Sequence, residues 1–354
     1  MSRRLASQIN SNYVRCLAVL SLTIALGSIA SKHVGAQPIV SAAEVQAQVP
    51  GTEVVRLDPA LDAIIAPGTR IEKIATGFKF VEGPMWRQGR LWFSDLVGNK
   101  MYAVTPQGKV EMLMDHSGGL DSFAPGGYLG SNAMATAKDG SVLLIQQGSR
   151  RIVRLNKDMA KSPFLDKLGD KRLNSPNDLV YAPDGSLWFT DPTYGLPKQN
   201  NDPAKELSFN GVYRYANGKL SVVIKDMTMP NGIGFSTDGK TLYVSNSGPE
   251  MYVEKFTLDA NGAVTGKSRL ISYPGSAPDV PDGLKVDSKG NIWTSGPGGI
   301  RIITPAGKVI GQLKIPEIAA NLAWGDDGKT AYITGSTSIY RLRLSIPGAL
   351  PLYR

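Results

Sequence analysis

The chain repeats one short pattern six times, and this repeat constrains its fold more than any other feature. Each copy begins with a polar residue, reaches a glycine seven or eight positions later, and continues into an apolar stretch. The polar residues that begin the copies, called the leaders below, are Glu82, Asn132, Asn177, Asn231, Asp282 and Asn321. They lie 39 to 54 residues apart. Because Asp-Gly between apolar runs is a strong hairpin signal, each copy predicts a β-hairpin.

Most copies continue with a third strand and, after another glycine turn, a fourth. Residues 100–104 and 109–114 follow the first hairpin in this way, and residues 212–215 and 219–224 follow the third. Four short strands that recur every few dozen residues are typical of propeller blades, so the sequence predicts an all-β, six-bladed β-propeller.

The two ends of the repeat predict how the ring closes. Residues 71–75 are predicted to form a strand without a blade of its own, and the sixth copy, which ends at residues 338–344, lacks an outer strand. We therefore expect the N-terminal strand to complete the last blade, which removes two exposed sheet edges.

The first 36 residues have the layout of a secretory signal peptide. Arg3, Arg4 and Arg15 precede an apolar stretch over residues 16–30 that is short for a membrane span, and small residues follow. An uncleaved membrane anchor is the alternative. We expect a secreted or periplasmic protein that is free of the membrane once the signal is cleaved. The predicted organisation is a signal peptide (1–36), a linker (37–68) with a helical turn near 58–65, the propeller (69–346) and a C-terminal tail (347–354).

Charge and composition exclude several functions. The formal net charge is +9, but four basic residues lie within residues 1–36, and the remainder has 35 basic against 30 acidic residues. No basic run is longer than a pair, so we expect no nucleic-acid partner. Cys16 and His33 also lie in this segment, which leaves His116 as the only histidine of the body. A thiolate nucleophile and a Cys/His zinc site are excluded, and no Gly-x-Ser-x-Gly motif is present.

The leaders predict a cation site on the propeller axis. The first strand of each blade lines the central channel, so the six leaders should converge there as two carboxylates and four amides. Burying these groups unpaired would be costly, and Ca²⁺ accepts carboxylate and amide oxygens. Zn²⁺, Mg²⁺ and Mn²⁺ are further possibilities. Simple turn formation is the alternative for each Asn or Asp, but it does not explain Glu82 in the same position.

These motifs resemble those of the regucalcin and gluconolactonase family of six-bladed, metal-dependent hydrolases. The resemblance runs from about residue 56 to 344. It rests on an ordered set of motifs, namely Glu82-Gly83-Pro84, Asn174-Ser175-Pro176-Asn177-Asp178, Phe189-Thr190-Asp191-Pro192 with Tyr194-Gly195, Pro230-Asn231-Gly232 and Pro281-Asp282-Gly283. It implies that Glu82, Asn177, Asn231 and Asp282 hold one divalent cation. Many relatives carry a Glu-His pair where this chain has Gln146-Gln147, so a titratable pair is missing there.

The resemblance also implies a reaction, the hydrolysis of a sugar lactone of the glucono-1,5-lactone type to the aldonic acid. The cation would polarise the ring carbonyl and activate a water molecule, with Asp282 as general base and Glu82 as anchor of the ion. These two roles could be exchanged. Asn132, Asp191 and Tyr194 are candidate contacts to sugar hydroxyls, although Asp191 could instead end a strand. The loop over residues 117–130 is expected to cover the channel mouth as a lid.

Other functions fit the same pattern. A calcium-dependent esterase or organophosphate hydrolase would use the same ligands on another substrate. A non-catalytic propeller would bind a sugar acid or a protein partner, with the ion in a structural role. A quinone cofactor is not expected, because the five tryptophans lie in repeat strands, where apolar residues fill the space between blades.

Overall fold

The glycine turns of the repeat form the predicted hairpins. The computed structural model describes residues 49–122, 126–275 and 279–354, so the predicted signal peptide lies outside the described residues. All six turn glycines have φ between +70° and +85°, a region that glycine enters without strain. They are Gly89, Gly140, Gly185, Gly239, Gly290 and Gly328.

The strands form six antiparallel sheets arranged as the predicted six-bladed propeller. Two strands, β1 (Glu53–Arg56) and β2 (Glu72–Thr76), precede the first blade. Blade 1 contains β3 (Val81–Arg87), β4 (Arg90–Asp95), β5 (Lys100–Val104) and β6 (Val110–Asp115). Blade 2 contains β7 (Ser131–Thr136), β8 (Val142–Gln146), β9 (Arg151–Leu155) and β10 (Lys161–Leu165), followed by a small hairpin of β11 (Lys167–Leu168) and β12 (Lys171–Arg172). Blade 3 contains β13 (Leu179–Tyr181), β14 (Leu187–Asp191), β15 (Asn210–Ala216) and β16 (Lys219–Met227).

The second half of the ring repeats the arrangement. Blade 4 contains β17 (Pro230–Phe235), β18 (Thr241–Ser247), β19 (Met251–Leu258) and β20 (Val264–Tyr273). Blade 5 contains β21 (Leu284–Val286), β22 (Ile292–Gly296), β23 (Gly299–Ile303) and β24 (Val309–Lys314). Blade 6 contains β25 (Ala319–Gly325), β26 (Thr330–Gly335) and β27 (Ser338–Arg343). Within residues 49–122 and 126–275, short 3-10 helices span Pro59–Ala63 and Gln199–Asn201. No helix of the described residues is long and apolar enough to cross a membrane.

The ring closes as the sequence predicts. Strand β2 pairs antiparallel with β27 and supplies the fourth strand of blade 6. In this register Glu72 lies opposite Arg341, and the Arg341 Nε donates to the Glu72 carboxylate at 2.7 Å. The last blade therefore consists of strands from both ends of the propeller, so that neither end leaves an unpaired edge.

Part of the predicted linker over residues 37–68 forms a strand of the propeller. Strand β1 pairs with β24 and adds a fifth strand to blade 5, with Glu53 opposite Lys314. Val54 packs against the apolar cluster between blades 5 and 6. A strand of four residues with no glycine turn gives too little periodicity to be recognised in the sequence, whereas the expected helical turn is present at Pro59–Ala63.

The apolar core of the described chain is divided among the interfaces between blades. Six buried clusters each join the strands of two neighbouring blades. Trp293 and Trp324 meet edge to face between blades 5 and 6, with ring centroids 5.2 Å apart. Trp188 fills the interface between blades 3 and 4. These rings pack between sheets, as the sequence predicts, and the channel is left to polar side chains.

The inner strands carry β-bulges where the leaders stand. In blade 1 the register moves from Glu82 opposite Ser94 to Met85 opposite Trp92, so β3 has one extra residue at Gly83-Pro84. Blades 2 and 4 have the same irregularity beside Asn132 and Asn231. A bulge bends the strand and redirects the neighbouring side chain, which allows the leaders to face the channel mouth.

Gly83 is the position where this bulge tolerates no side chain. Its φ is +60°, and a Cβ there would lie 2.3 Å from the carbonyl oxygen of Asn132 in the next blade. The interblade packing at Glu82 therefore depends on the absence of a side chain at residue 83.

We expect Gly83→Ala to destabilise the protein much more than Gly89→Ala. Both residues have positive φ, but no described atom lies within 4 Å of a Cβ at Gly89. The control should lose about 1 kcal/mol from backbone strain, and Gly83→Ala at least ~2 kcal/mol more because the backbone of blade 2 must move. Urea unfolding measures both values, and equal losses would contradict the close approach.

Candidate functional site

The leaders of blades 1 and 5 place two carboxylates close together at the channel mouth. Glu82 is buried, and Asp282 lies half-buried two residues before β21. Burial, with a contribution from the charge of Asp178, raises the pKa of Glu82 to about 7. Burial and the charges of Glu82 and Asp178 raise the pKa of Asp282 well above its usual range. Without a counter-charge, this group of acids is therefore electrostatically unfavourable.

Two oxygens in this mouth have no hydrogen-bond partner among the described residues. Oε1 of Glu82 and Oδ1 of Asn231 are both inaccessible to solvent and unpaired. The other side-chain atoms of these residues are engaged: the Gly83 amide and Asn321 Nδ2 donate to Glu82 Oε2, and Asn231 Nδ2 donates to Ser247 Oγ at 3.0 Å. Unpaired buried oxygens are costly, and a hard cation would satisfy them. The residues present thus fit the predicted divalent ion.

Amide oxygens are needed for such an ion. In the described ranges, no group of three or more His, Cys, Asp or Glu side chains is arranged to hold a metal. The third carboxylate near the mouth, Asp178, accepts backbone hydrogen bonds from Leu179 at 2.8 Å and Ile233 at 3.4 Å. The ligand set of Glu82, Asn177, Asn231 and Asp282 stays a prediction in which two amides accompany two carboxylates.

Hydroxyl groups on the second strands hold the leaders in place. Ser94 in β4 donates to the carbonyl oxygen of Asn132 at 2.8 Å. Thr190 in β14 donates to that of Asn231 at 2.7 Å, and Ser245 in β18 to that of Asp282 at 2.6 Å. In each case the hydroxyl belongs to one blade and the leader to the next. Buried hydrogen bonds across blade boundaries therefore fix these three leaders.

Asn321 acts on the site through Glu82. Its Nδ2 donates to Oε2 of Glu82 at 3.1 Å, and its Oδ1 accepts from Lys285 Nζ at 3.1 Å and from the Leu322 amide at 2.8 Å. Both polar atoms of this leader are thus in use. Gly283 accommodates the contact, since a Cβ there would lie 2.0 Å from the Asn321 amide carbon.

Two tyrosine rings, those of Tyr128 and Tyr194, lie near Asp282. Tyr128 belongs to the loop over residues 117–130, and its amide donates to the carbonyl oxygen of Tyr194 at 3.2 Å. The two rings lie 6.4 Å apart, and Phe80 stacks on Tyr128 at 6.2 Å. Burial, together with the charge of Asp282, raises the pKa of both tyrosines. Tyr194 and Tyr128 therefore lie near Asp282, and the role of Tyr194 as a substrate contact stays a prediction.

The remaining predicted residues differ in their surroundings. Asn132 is buried, and its Nδ2 donates to Gln147 Oε1 at 2.8 Å, so Gln147 orients this leader. Asp191 is fully buried, and its oxygens accept the amides of Asn174 and Ser175 at 2.8 and 2.7 Å. This geometry favours the strand-ending alternative for Asp191, which anchors the segment leading to Asn177. His116 is largely exposed and lies 3.2 Å from Asp121.

Asp178, Lys285 and Tyr128 are the residues that sequence reasoning missed. Asp178 directly follows a predicted ligand, and Lys285 lies three positions after another. The repeat draws attention only to the leader position of each copy, and no leader is a basic residue. Lys285 could have been found because a lysine is unusual in the inner strand of a blade, where most side chains are buried.

Fold and site together define a six-bladed propeller with a group of buried acidic and amide side chains at one mouth of its channel. The chain belongs to the SMP-30/Gluconolactonase/LRE-like family, whose model matches residues 80–337. It is 34% identical over 307 residues to a gluconolactonase from Zymomonas mobilis subsp. mobilis, a match that covers 82% of this chain and 86% of that protein. These findings confirm the family resemblance predicted from the motifs.

Solved structures support the same assignment. A gluconolactonase from Xanthomonas campestris is 28% identical with a TM-score of 0.73, and the match covers 87% of this chain and 98% of that one. Regucalcin from Agrobacterium tumefaciens, a calcium-binding protein, is 20% identical with a TM-score of 0.63, covering 79% and 95% of the two chains. The second likeness shows a shared fold.

The raised pKa of Glu82 predicts how the stability of the metal-free protein depends on pH. Between pH 4.5, the ordinary value, and about 7, the folded state keeps a proton that the unfolded state has lost. The free energy of unfolding should therefore fall as the pH rises through this window. Relative to Glu82→Gln, we expect the EDTA-treated protein to lose about 2 to 3 kcal/mol between pH 4.5 and 8 in urea unfolding. A pH-independent difference between the two proteins would contradict the buried position of Glu82.

Proposed function

We propose that this protein hydrolyses a sugar lactone to the corresponding aldonic acid, with one divalent cation held by Glu82, Asn177, Asn231 and Asp282. One observation supports it most directly: unpaired oxygens of Glu82 and Asn231 lie beside a second carboxylate of raised pKa, Asp282. The relationship to gluconolactonases provides the substrate class. A glucono-1,5-lactone type of substrate fits best, because a polar, half-open mouth suits a neutral, hydroxyl-rich ring.

The cation, when bound, would supply Lewis-acid polarisation of the lactone carbonyl and activate a water molecule. Ca²⁺ is the preferred ion because all four ligands are oxygens and two of them are neutral amides. Mg²⁺, Mn²⁺ and Zn²⁺ are the alternatives.

Asp282 is the general base in this proposal. It lies at the mouth, half-buried, and its backbone is held by Ser245 and by Ser295, whose Oγ accepts the Asp282 amide at 3.1 Å. A carboxylate of raised pKa accepts a proton from water more readily than an ordinary one. Glu82 is more enclosed and hydrogen-bonded to Gly83 and Asn321, which suits an anchoring role.

The lactone ring would lie against the wall of Tyr128 and Tyr194. Aromatic faces pack on the apolar faces of sugar rings, and the buried rings would limit access of bulk water. Asn132 and Tyr194 are the proposed contacts to sugar hydroxyls. We also propose that the protein acts after export, on the basis of the signal-like residues 1–36.

An assay of the chain without residues 1–36 tests the function. In a pH-stat at pH 8, we expect hydrolysis of glucono-1,5-lactone that is lost in excess EDTA and restored by Ca²⁺. A γ-lactone, an aryl ester and an organophosphate serve as competing substrates and separate the lactonase from the esterase alternative. Full activity in EDTA would contradict the metal-dependent mechanism, and absence of turnover with every ion would favour a non-catalytic binding protein.

Asp282→Asn should reduce kcat for the lactone at least ~100-fold, while the lost charge weakens Ca²⁺ binding only roughly tenfold. Asparagine keeps an oxygen for the ion but cannot take a proton at neutral pH. Asp279→Asn is the matched control, since Asp279 lies on the same segment and contacts the Gly298 amide at 2.9 Å. Steady-state kinetics and calorimetric titration with Ca²⁺ measure the two effects, and full activity of Asp282→Asn would disprove the assignment.

A further inference from the structure

A lysine on an inner strand lies close to the acidic side chains of the site. Lys285 lies on the inner strand of blade 5, and its Nζ donates to the Leu284 carbonyl at 3.0 Å and to Asn321 Oδ1 at 3.1 Å. The same atom lies 3.7 Å from Oδ2 of Asp178 in blade 3. Asp178 itself is almost completely buried. The ammonium group thus contacts blades 3, 5 and 6.

Lys285 and Asp178 act electrostatically on both acidic ligands. The negative charge of Asp178 disfavours ionisation of Glu82 and of Asp282, and the positive charge of Lys285 favours it. A charged lysine carries no lone pair and is therefore not a ligand. Each Asp178 oxygen already accepts one backbone amide, and we assign the effect of Asp178 on an ion to its charge.

We propose that Lys285 and Asp178 form a built-in charge pair that sets the site to a net charge of −2 and thereby matches it to one divalent cation. Glu82, Asp178 and Asp282 contribute three negative charges when ionised, and Lys285 removes one. Asp178 without Lys285 would leave an excess negative charge that favours trivalent ions. Lys285 without Asp178 would leave one net negative charge, which attracts a divalent ion less strongly. The inference rests on the proposed cation site and adds residues that determine its affinity.

A purely structural role for Lys285 predicts the opposite result. Its hydrogen bond to Asn321 holds the amide that donates to Glu82. If Lys285 served only to orient this amide, its removal would misplace Glu82 and weaken cation binding. If its charge dominates, its removal lessens the repulsion of the ion and strengthens binding. The sign of the change therefore separates the two roles.

Calorimetric titration of the EDTA-treated protein at pH 8 with Ca²⁺ and with La³⁺ provides the test. We expect Lys285→Gln and Lys285→Met to bind Ca²⁺ roughly tenfold more tightly and to gain more for La³⁺, because the repulsion scales with ion charge. Asp178→Asn, which keeps an oxygen for the Leu179 amide, should bind Ca²⁺ roughly tenfold more weakly. The double variant Asp178→Asn with Lys285→Gln should return to within about threefold of the unmodified protein.

The control is Lys314→Met, which removes the same charge from the outer strand of the same blade, where Lys314 pairs with Glu53 at 2.9 Å. Its Ca²⁺ affinity should not change. Unchanged or weaker Ca²⁺ binding in either Lys285 variant overturns the charge-pair proposal while the cation site itself stands. Failure of the unmodified protein to bind any of the ions overturns the cation site and the charge pair together.

Discussion

The repulsion among carboxylates at one end of the propeller channel is the interaction on which the site depends. A closed ring brings the inner strands of all blades to a common axis, so acids on different blades cannot move apart. Burial and mutual charge raise the pKa of both Glu82 and Asp282. The fold tolerates this cost because the six apolar interfaces between blades stabilise the ring elsewhere. A bound cation would attract each of these carboxylates and thereby offset their mutual repulsion.

The backbone around these acids is built to keep them in place. Bulges redirect the leaders, close approaches at Gly83 and Gly283 lock neighbouring blades, and hydroxyls from one blade hold the leader carbonyl of the next. Such a mouth is preorganised, so little conformational entropy is lost when an ion or substrate binds.

The sequence predicted the parts of this molecule that follow a period, and missed those that depend on contacts across blades. The turn glycines recur with the repeat, so the six blades and the closing strand were recognisable, and the structure confirms them. Strand β1 and the charge pair of Lys285 and Asp178 do not recur. Lys285 meets Asp178 only because the inner strands of blades 3 and 5, which have blade 4 between them, converge on the channel. For Asp191 the motif was visible, but its backbone partners were not.

The same contacts explain why only part of the leader ring would serve the ion. Both polar atoms of Asn321 are engaged, and it presents an N–H group to Glu82. Asn132 directs its own amide to Gln147, in the position where many relatives carry a titratable pair. These two leaders flank Glu82 in the ring, on blades 6 and 2. The proposed ligands are therefore the leaders of blades 1, 3, 4 and 5, and two of them, Glu82 and Asn231, hold buried oxygens without a hydrogen-bond partner. The proposed base, Asp282, lies near Tyr128 and Tyr194, whose pKa values its charge raises, so a lactone ring held by these tyrosines would present its carbonyl next to the base.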